Sequence, residues 1–272
     1  MCAKRLRQAM VAGYFYPKDP ALLRQTLREL TEDGLPRTSS MGAIVPHGGF
    51  QFSGAIAGET FSRLSIPRRC VVLGPNHTGL GSPWSLMAEG AYQTPLGEVP
   101  VDVPLATALL EACPLLRDDE QAHLAEHAIE MALPFLQWLG PEALAIVPLV
   151  IGSEDVDECE QVAGALARVI RQSGEPGLVV ASADFNHYEP REVTASKDAQ
   201  VIAAVQTLNH AQFLEQVRVL DVTMCGHGSI ACFLGAMRRL GATQAHLIRY
   251  GTSADAGGDP HSAIGYAGMI VN

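Results

Sequence analysis

Six short apolar runs, most of them continuous rather than alternating, are separated by longer stretches of helical period. The runs are 42–46 (GAIVP), 70–74 (CVVLG), 144–151 (LAIVPLVI), 178–182 (LVVAS), 245–250 (AHLIRY) and 264–271 (IGYAGMIV). A strand that is apolar on both faces must be covered on both, and parallel strands joined by crossover helices meet that need. Helical patterns over 20–32, 54–64, 103–112, 122–139, 154–172, 196–206, 210–218 and 228–240 supply the covering layers. Asp19 before Pro20 gives the first helix a capping side chain and a residue already set for helical φ. The pattern predicts an α/β fold: one domain over 1–272, with a central mixed or mostly parallel sheet flanked by helices. The Gly- and Pro-rich stretch 79–101 is expected to form a loop and small strands.

Charge narrows the function classes. The 272 residues include 19 Lys and Arg against 29 Asp and Glu, a formal charge of −10. No basic field exists to draw in a phosphate backbone or an anionic membrane, so neither nucleic acid nor membrane is an expected partner. No apolar stretch reaches the ~20 residues of a membrane span, and Pro17 interrupts the only candidate leader. The six cysteines (2, 70, 113, 159, 225, 232) show no CxxC spacing, which fits a reducing, cytoplasmic setting. Charged residues make up only 18 %, a shortage that points to a large buried fraction or a homo-oligomer.

Polar residues gather in four segments placed directly after a strand or at a helix start. They are Pro46-His47-Gly48-Gly49, Gly74-Pro75-Asn76-His77, Ala183-Asp184-Phe185-Asn186-His187 and Met224-Cys225-Gly226-His227. Ligands of open α/β sheets bind at the carboxyl ends of strands, so these segments are expected to meet around one cavity. Imidazole suits first-row transition metals and thiolate the softer ones. His47, His77 and Cys225 are therefore metal-ligand candidates, with Cys225 at a helix N-terminus that would favour its thiolate. Asp184 and His187 are candidates for further ligands or for acid–base groups beside the metal. Phe50, Phe52, Trp84 and Tyr92 are candidates for the pocket entrance.

Two local patterns compete. His123-Leu124-Ala125-Glu126-His127 matches H-x-x-E-H; on a continuous helix it would set His123 and His127 on one face, with Glu130 one turn further on. Gly226-His227-Gly228-Ser229-Ile230-Ala231 matches G-x-G-x-x-A, but no clear strand precedes it. Both patterns are short enough to arise by chance. Neither a P-loop nor a G-x-S-x-G elbow is present.

The ordered set of segments resembles the MEMO family. The matching stretches are AGYFYPKDPAL (12–22), VPHGGFQFSGAIAGETF (45–61), LGPNHTG (73–79), YQTPLGEVPVD (92–102), EHAIEMALPFL (126–136), ASADFNHY (181–188), MCGHGSI (224–230) and IGYAGMIV (264–271). The resemblance implies a fold like that of the LigB-like class III extradiol dioxygenases. By motif it carries metal association to His47, His77 and Cys225, and pocket positions to Asp184 and His187.

Departures qualify the implied activity. Dioxygenases of that fold hold Fe(II) through two histidines and a carboxylate. Cys225 takes the carboxylate's place here, so ring cleavage does not carry over. His227 stands where the family often has a basic residue, and Ala128 replaces a serine of the relatives' E-H-S motif. His123 lies outside the shared pattern, which makes the H-x-x-E-H match incidental. Two functions follow. One is a non-haem metal enzyme, with Fe(II) first and copper or zinc next, acting on a small molecule. Relatives' association with a radical-SAM protein and a third companion places it in a modification or biosynthetic pathway. The other is a non-enzymatic protein that binds metal or a (phospho)peptide, as eukaryotic relatives do.

Overall fold

The computed structural model describes residues 5–175 and 177–272. Cys2 falls outside them. Four parallel strands form the middle of a mixed sheet, in the order Gly42–Val45, Leu178–Ser182, Arg69–Pro75 and Ala145–Ile151. Ala263–Val271 runs antiparallel to Gly42–Val45, and Trp84–Leu86 runs antiparallel to Ala145–Ile151. His187–Glu189 and Ala245–Thr252 both pair with Ala263–Val271, and Arg117–Asp118 closes the opposite edge. The central strands are buried along almost their whole length, as their continuous apolar runs require.

Helices cover the sheet in two groups. Phe50–Ser62 and Ala128–Leu139 pack together against the parallel strands, with Pro20–Leu30 outside them. His227–Leu240, Val156–Ser173 and Val103–Ala112 form the second group. Pro20–Leu30 starts as expected: the Asp19 carboxylate accepts the Leu22 N–H at 2.8 Å. Gly42 is set by packing, because a Cβ there would lie 2.4 Å from the Phe233 ring.

All six strand candidates exist with ends within two residues of expectation. The 79–101 stretch contributes short strands, of which Ala91–Thr94 and Gly97–Pro100 pair with each other beside Leu6–Arg7. Three helix expectations need correction. The second helix begins at Phe50, directly after Gly49, and the helix ending at Gln206 begins at Arg191. The span 122–139 is two helices, Gln121–Leu124 and Ala128–Leu139. The break arises because the Glu126 carboxylate accepts the N–H groups of His127 and Ala128, at 2.8 and 2.9 Å. These bonds cap a new helix in place of continuing the old one. Among the described residues, no helix is long and apolar enough to cross a membrane.

Candidate metal centre

The parallel strands end along one edge, and the segments after them meet there. His47 follows Gly42–Val45, His77 follows Arg69–Pro75, and Asp184 follows Leu178–Ser182. Val45 and Ser182 are register partners, which places the first and third of these loops side by side. Cys225 comes from the turn before His227–Leu240. That helix is capped by Gly226 at φ 77°, where a Cβ would also lie 2.9 Å from Ala183 and Ser182 atoms. Only glycine fits so close an approach in that conformation.

Donor atoms of His47, His77 and His127 all lie within 4.8 Å of one another, and so do those of His47, Asp184 and Cys225. His47 belongs to both groups. Cys225 and His77 do not share one, so the thiol reaches the imidazole cluster through His47. The His77 and His127 rings stack at 4.7 Å, and the His47 ring stands edge-on to both, at 5.2 and 5.4 Å.

The hydrogen bonds fix where the imidazole protons sit. Ser182 donates its only hydroxyl proton to the Ala128 carbonyl at 2.8 Å. Its oxygen must then accept from His47 Nδ1, 3.0 Å away. His47 Nε2 is left with a lone pair, and the Cys225 thiol donates to it at 3.1 Å. His77 Nδ1 lies 2.9 Å from the Glu126 carboxylate and donates to it, again leaving Nε2 as the acceptor. His187 Nδ1 donates to the Thr223 carbonyl at 2.6 Å. Three imidazoles thus have Nδ1 anchored by the protein and the lone pair on Nε2, the arrangement found where histidine binds metal; that of His47 is occupied by the Cys225 thiol, and His187 stands outside both donor groups.

Electrostatics follow burial. His47 is 1 % exposed, and desolvation holds its imidazole well below the ordinary range. Burial also pulls His77 down, but the Glu126 carboxylate outweighs it and raises that imidazole. Burial alone would raise Glu126; its bonds to His77 and to backbone N–H groups bring it down to about 2. Asp184 is raised by burial against the His47 and Gly48 N–H groups that it accepts at 2.7 and 3.3 Å. Burial, then the Asp184 charge, pushes the Cys225 thiol well up. The helix-dipole expectation for Cys225 is therefore overturned: burial beside a carboxylate dominates, and the metal-free group is a thiol.

These residues floor a cleft of about 630 Å³, with His187, Tyr188, Tyr14, Phe15, Phe52 and Tyr266 on its walls. His77 and Cys225 also line an adjoining cleft of about 320 Å³, together with Glu154 and His227. His227 bonds to Glu154 and stands outside both donor groups. Of the expected entrance aromatics only Phe52 lines the main cleft. Phe50, Trp84 and Tyr92 are core residues; Trp84 Nε1 donates to Glu158 at 2.9 Å.

His123 and Glu130 are not part of the cluster. His123 is fully buried, with Nδ1 accepting the Tyr92 hydroxyl at 2.7 Å and Nε2 facing the Ser85 carbonyl at 3.2 Å. Glu130 pairs with the buried Arg7 guanidinium and accepts the Tyr16 hydroxyl at 2.6 Å. It also accepts the Met10 and Val11 N–H groups, at 2.9 and 3.1 Å, and so ties residues 7–16 to the Ala128–Leu139 helix. That tether sets Phe15 edge-on to His127 at 5.2 Å. His127 is the cluster member that the sequence reading named only within the competing H-x-x-E-H pattern and not with His47, His77 and Cys225. Its signal lay in the Glu126-His127 pair at a helix start, which the H-x-x-E-H pattern obscured.

Comparison with known proteins agrees with the architecture. A MEMO1 family protein of Methanopyrus kandleri is 39 % identical over 277 residues, covering 97 % of this chain and 98 % of that protein. A MEMO1 family protein of Methanothermobacter thermautotrophicus is 39 % identical over 274 residues, covering 96 % and 99 %. The crystal structure of an uncharacterized protein from Escherichia coli K12 superposes with a TM-score of 0.57 at 17 % identity. It covers 85 % of this chain and 99 % of that one, a likeness of fold. Residues 7–270 match the family described as Memo-like protein. With that match, and with near-full-length relatives at this identity, the chain belongs to the MEMO family.

Proposed function

We propose that the cluster is a non-haem metal centre and that the protein is a metal-dependent oxidoreductase acting on a small molecule, with Fe(II) as its resident ion. One observation carries the reading: imidazoles with Nδ1 already anchored converge with a thiol and a carboxylate at the floor of an open cleft. The residues fit such an ion. His47 would hold it, either with His77 and His127 or with Asp184 and Cys225, the two donor sets that meet at His47. When bound, the ion would supply Lewis acidity and electron-transfer chemistry that no side chain here provides.

The remaining roles belong to the chain itself. The Cys225 proton, now on the bond to His47 Nε2, must leave when the thiol becomes a ligand. Asp184 grips the backbone at His47 and Gly48 and keeps the first ligand loop in place. His187 lines the cleft, where it would take or give a proton, with Asp184 as the second acid–base group of the lining.

The test is elemental analysis after anaerobic purification of wild type and Cys225→Ala. Near-stoichiometric iron in the wild type, depleted in the variant, supports the reading. Copper in its place turns the reading toward metal handling. No metal in either protein after addition of Fe(II), Cu(I) and Zn(II) overturns it.

A further inference from the structure

We propose that His227 and Glu154 form a second, weaker site for a divalent cation, placed to pass the ion on to the metal centre. The loading role rests on the reading of the cluster as a metal centre. Three clefts lie in series. The adjoining cleft of about 320 Å³ shares His77 and Cys225 with the main cleft, and it shares Glu154 and His227 with an outer cleft of about 510 Å³. An ion entering by the outer cleft meets the His227–Glu154 pair first, and then one member of each donor set of the centre.

The pair is arranged as metal ligands are. His227 Nδ1 lies 3.0 Å from the Met224 carbonyl and donates to it, which turns Nε2 to the Glu154 carboxylate. His47 and His77 are anchored through Nδ1 in the same way. Packing holds the two backbones together: a Cβ at Gly228 would lie 2.1 Å from the Ser153 carbonyl oxygen, and the Ser153 hydroxyl donates to Glu158 at 2.6 Å. Imidazole nitrogen and carboxylate oxygen both suit Zn(II) and its first-row neighbours. Two protein donors leave the rest of the ion's shell to water, so the ion is held loosely and can move on. The surroundings draw a cation in. Glu215 and Asp221 line the outer cleft with Glu154, and Arg218 there is bonded to Glu215 at 2.9 and 2.6 Å. Asp155 and Asp157 are exposed beside Glu154. The main cleft is walled instead by the rings of Tyr14, Phe15, Phe52 and Tyr188, poor ligands for an aquated ion.

The full chain, stripped of metal and isotope-labelled at its histidine rings, is titrated with Zn(II) and followed by NMR. The first equivalent is expected to move the His47 signals, and an excess up to millimolar concentration those of His227. Glu154→Gln is expected to weaken the His227 response at least tenfold and to leave the affinity of the tight site unchanged in competition with a chelator. It is also expected to slow the filling of that site several-fold in stopped-flow mixing with Zn(II). His227 signals unmoved by millimolar Zn(II) overturn the proposal, as does filling of the tight site at the wild-type rate in Glu154→Gln. A chain that holds no Zn(II) tightly, yet shows a His227 response that Glu154→Gln removes, counts against the metal centre and for the second site. The two failures therefore give different results.

Discussion

Ser182 sets the tautomer of His47. Its hydroxyl proton goes to the Ala128 carbonyl at 2.8 Å, so its oxygen faces His47 Nδ1 at 3.0 Å only as an acceptor. Ser182→Ala removes that acceptor from a buried ring. Outer partners of metal-binding histidines are typically worth ~10–100-fold in affinity. A loss in that range is expected when variant and wild type compete with a chelator for Fe(II) or Zn(II). Unchanged affinity would show that His47 is held by something else.

Cys225→Ala is expected to lower metal affinity at least tenfold, while Cys159→Ala leaves it unchanged. Cys159 is buried in Val156–Ser173, with its sulfur 3.9 Å from the Gly228 carbonyl and outside both donor groups. The pair controls for general damage by a cysteine-to-alanine change. Similar losses in both variants would remove Cys225 from the site.

His123 gives a stability signature separate from the metal. Burial, the leading cause, lowers its imidazole from 6.5 to about 4. The unfolded chain takes up this proton near pH 6.5 and the folded chain only near 4, so stability falls as pH drops through that window. The loss is roughly 3 kcal/mol at pH 4, at about 1.4 kcal/mol per unit. Urea unfolding at pH 7 and pH 4.5 should show the slope in the wild type and a shallower one in His123→Gln. Metal retention in His123→Ala at pH 7 should match the wild type.

Glu130→Gln leaves Arg7 charged and buried without its partner. Breaking a buried pair in this way typically costs ~3–5 kcal/mol. The variant also weakens the acceptor for the Met10 and Val11 N–H groups and the Tyr16 hydroxyl. A lower midpoint in thermal unfolding is expected, together with faster proteolysis near residues 7–16. An unchanged midpoint would mean that the tether contributes little.

The strands were legible because burial on both faces leaves a continuous apolar run, a purely local signature. The meeting of His47, His77 and Asp184 at one edge was legible for a related reason: parallel strands have one carboxyl end. The helix break at 125–127 was not. Its cause is the Glu126 carboxylate, which turns back onto the His127 and Ala128 N–H groups and reaches across to His77. Nothing in the local period announces that choice, so His127 was read as part of a continuous helix. The Arg7–Glu130 pair joins residues 123 positions apart, and its partners look like ordinary surface charges in sequence. Three of the four entrance aromatics were misassigned because ring chemistry alone does not say which face of an element is buried; Phe50, Trp84 and Tyr92 turned inward, and Phe52 lines the cleft.

His47 Nε2 and the Cys225 sulfur lie 3.1 Å apart in space and 178 residues apart along the chain. The strand before His47 is also hydrogen-bonded, through Ile44 and Met269, to a strand ending at Val271. During synthesis His47 therefore waits for most of the polypeptide before Cys225 arrives, and for nearly all of it before the Ala263–Val271 strand does. No nascent fragment that stops short of residue 225 contains the whole pocket.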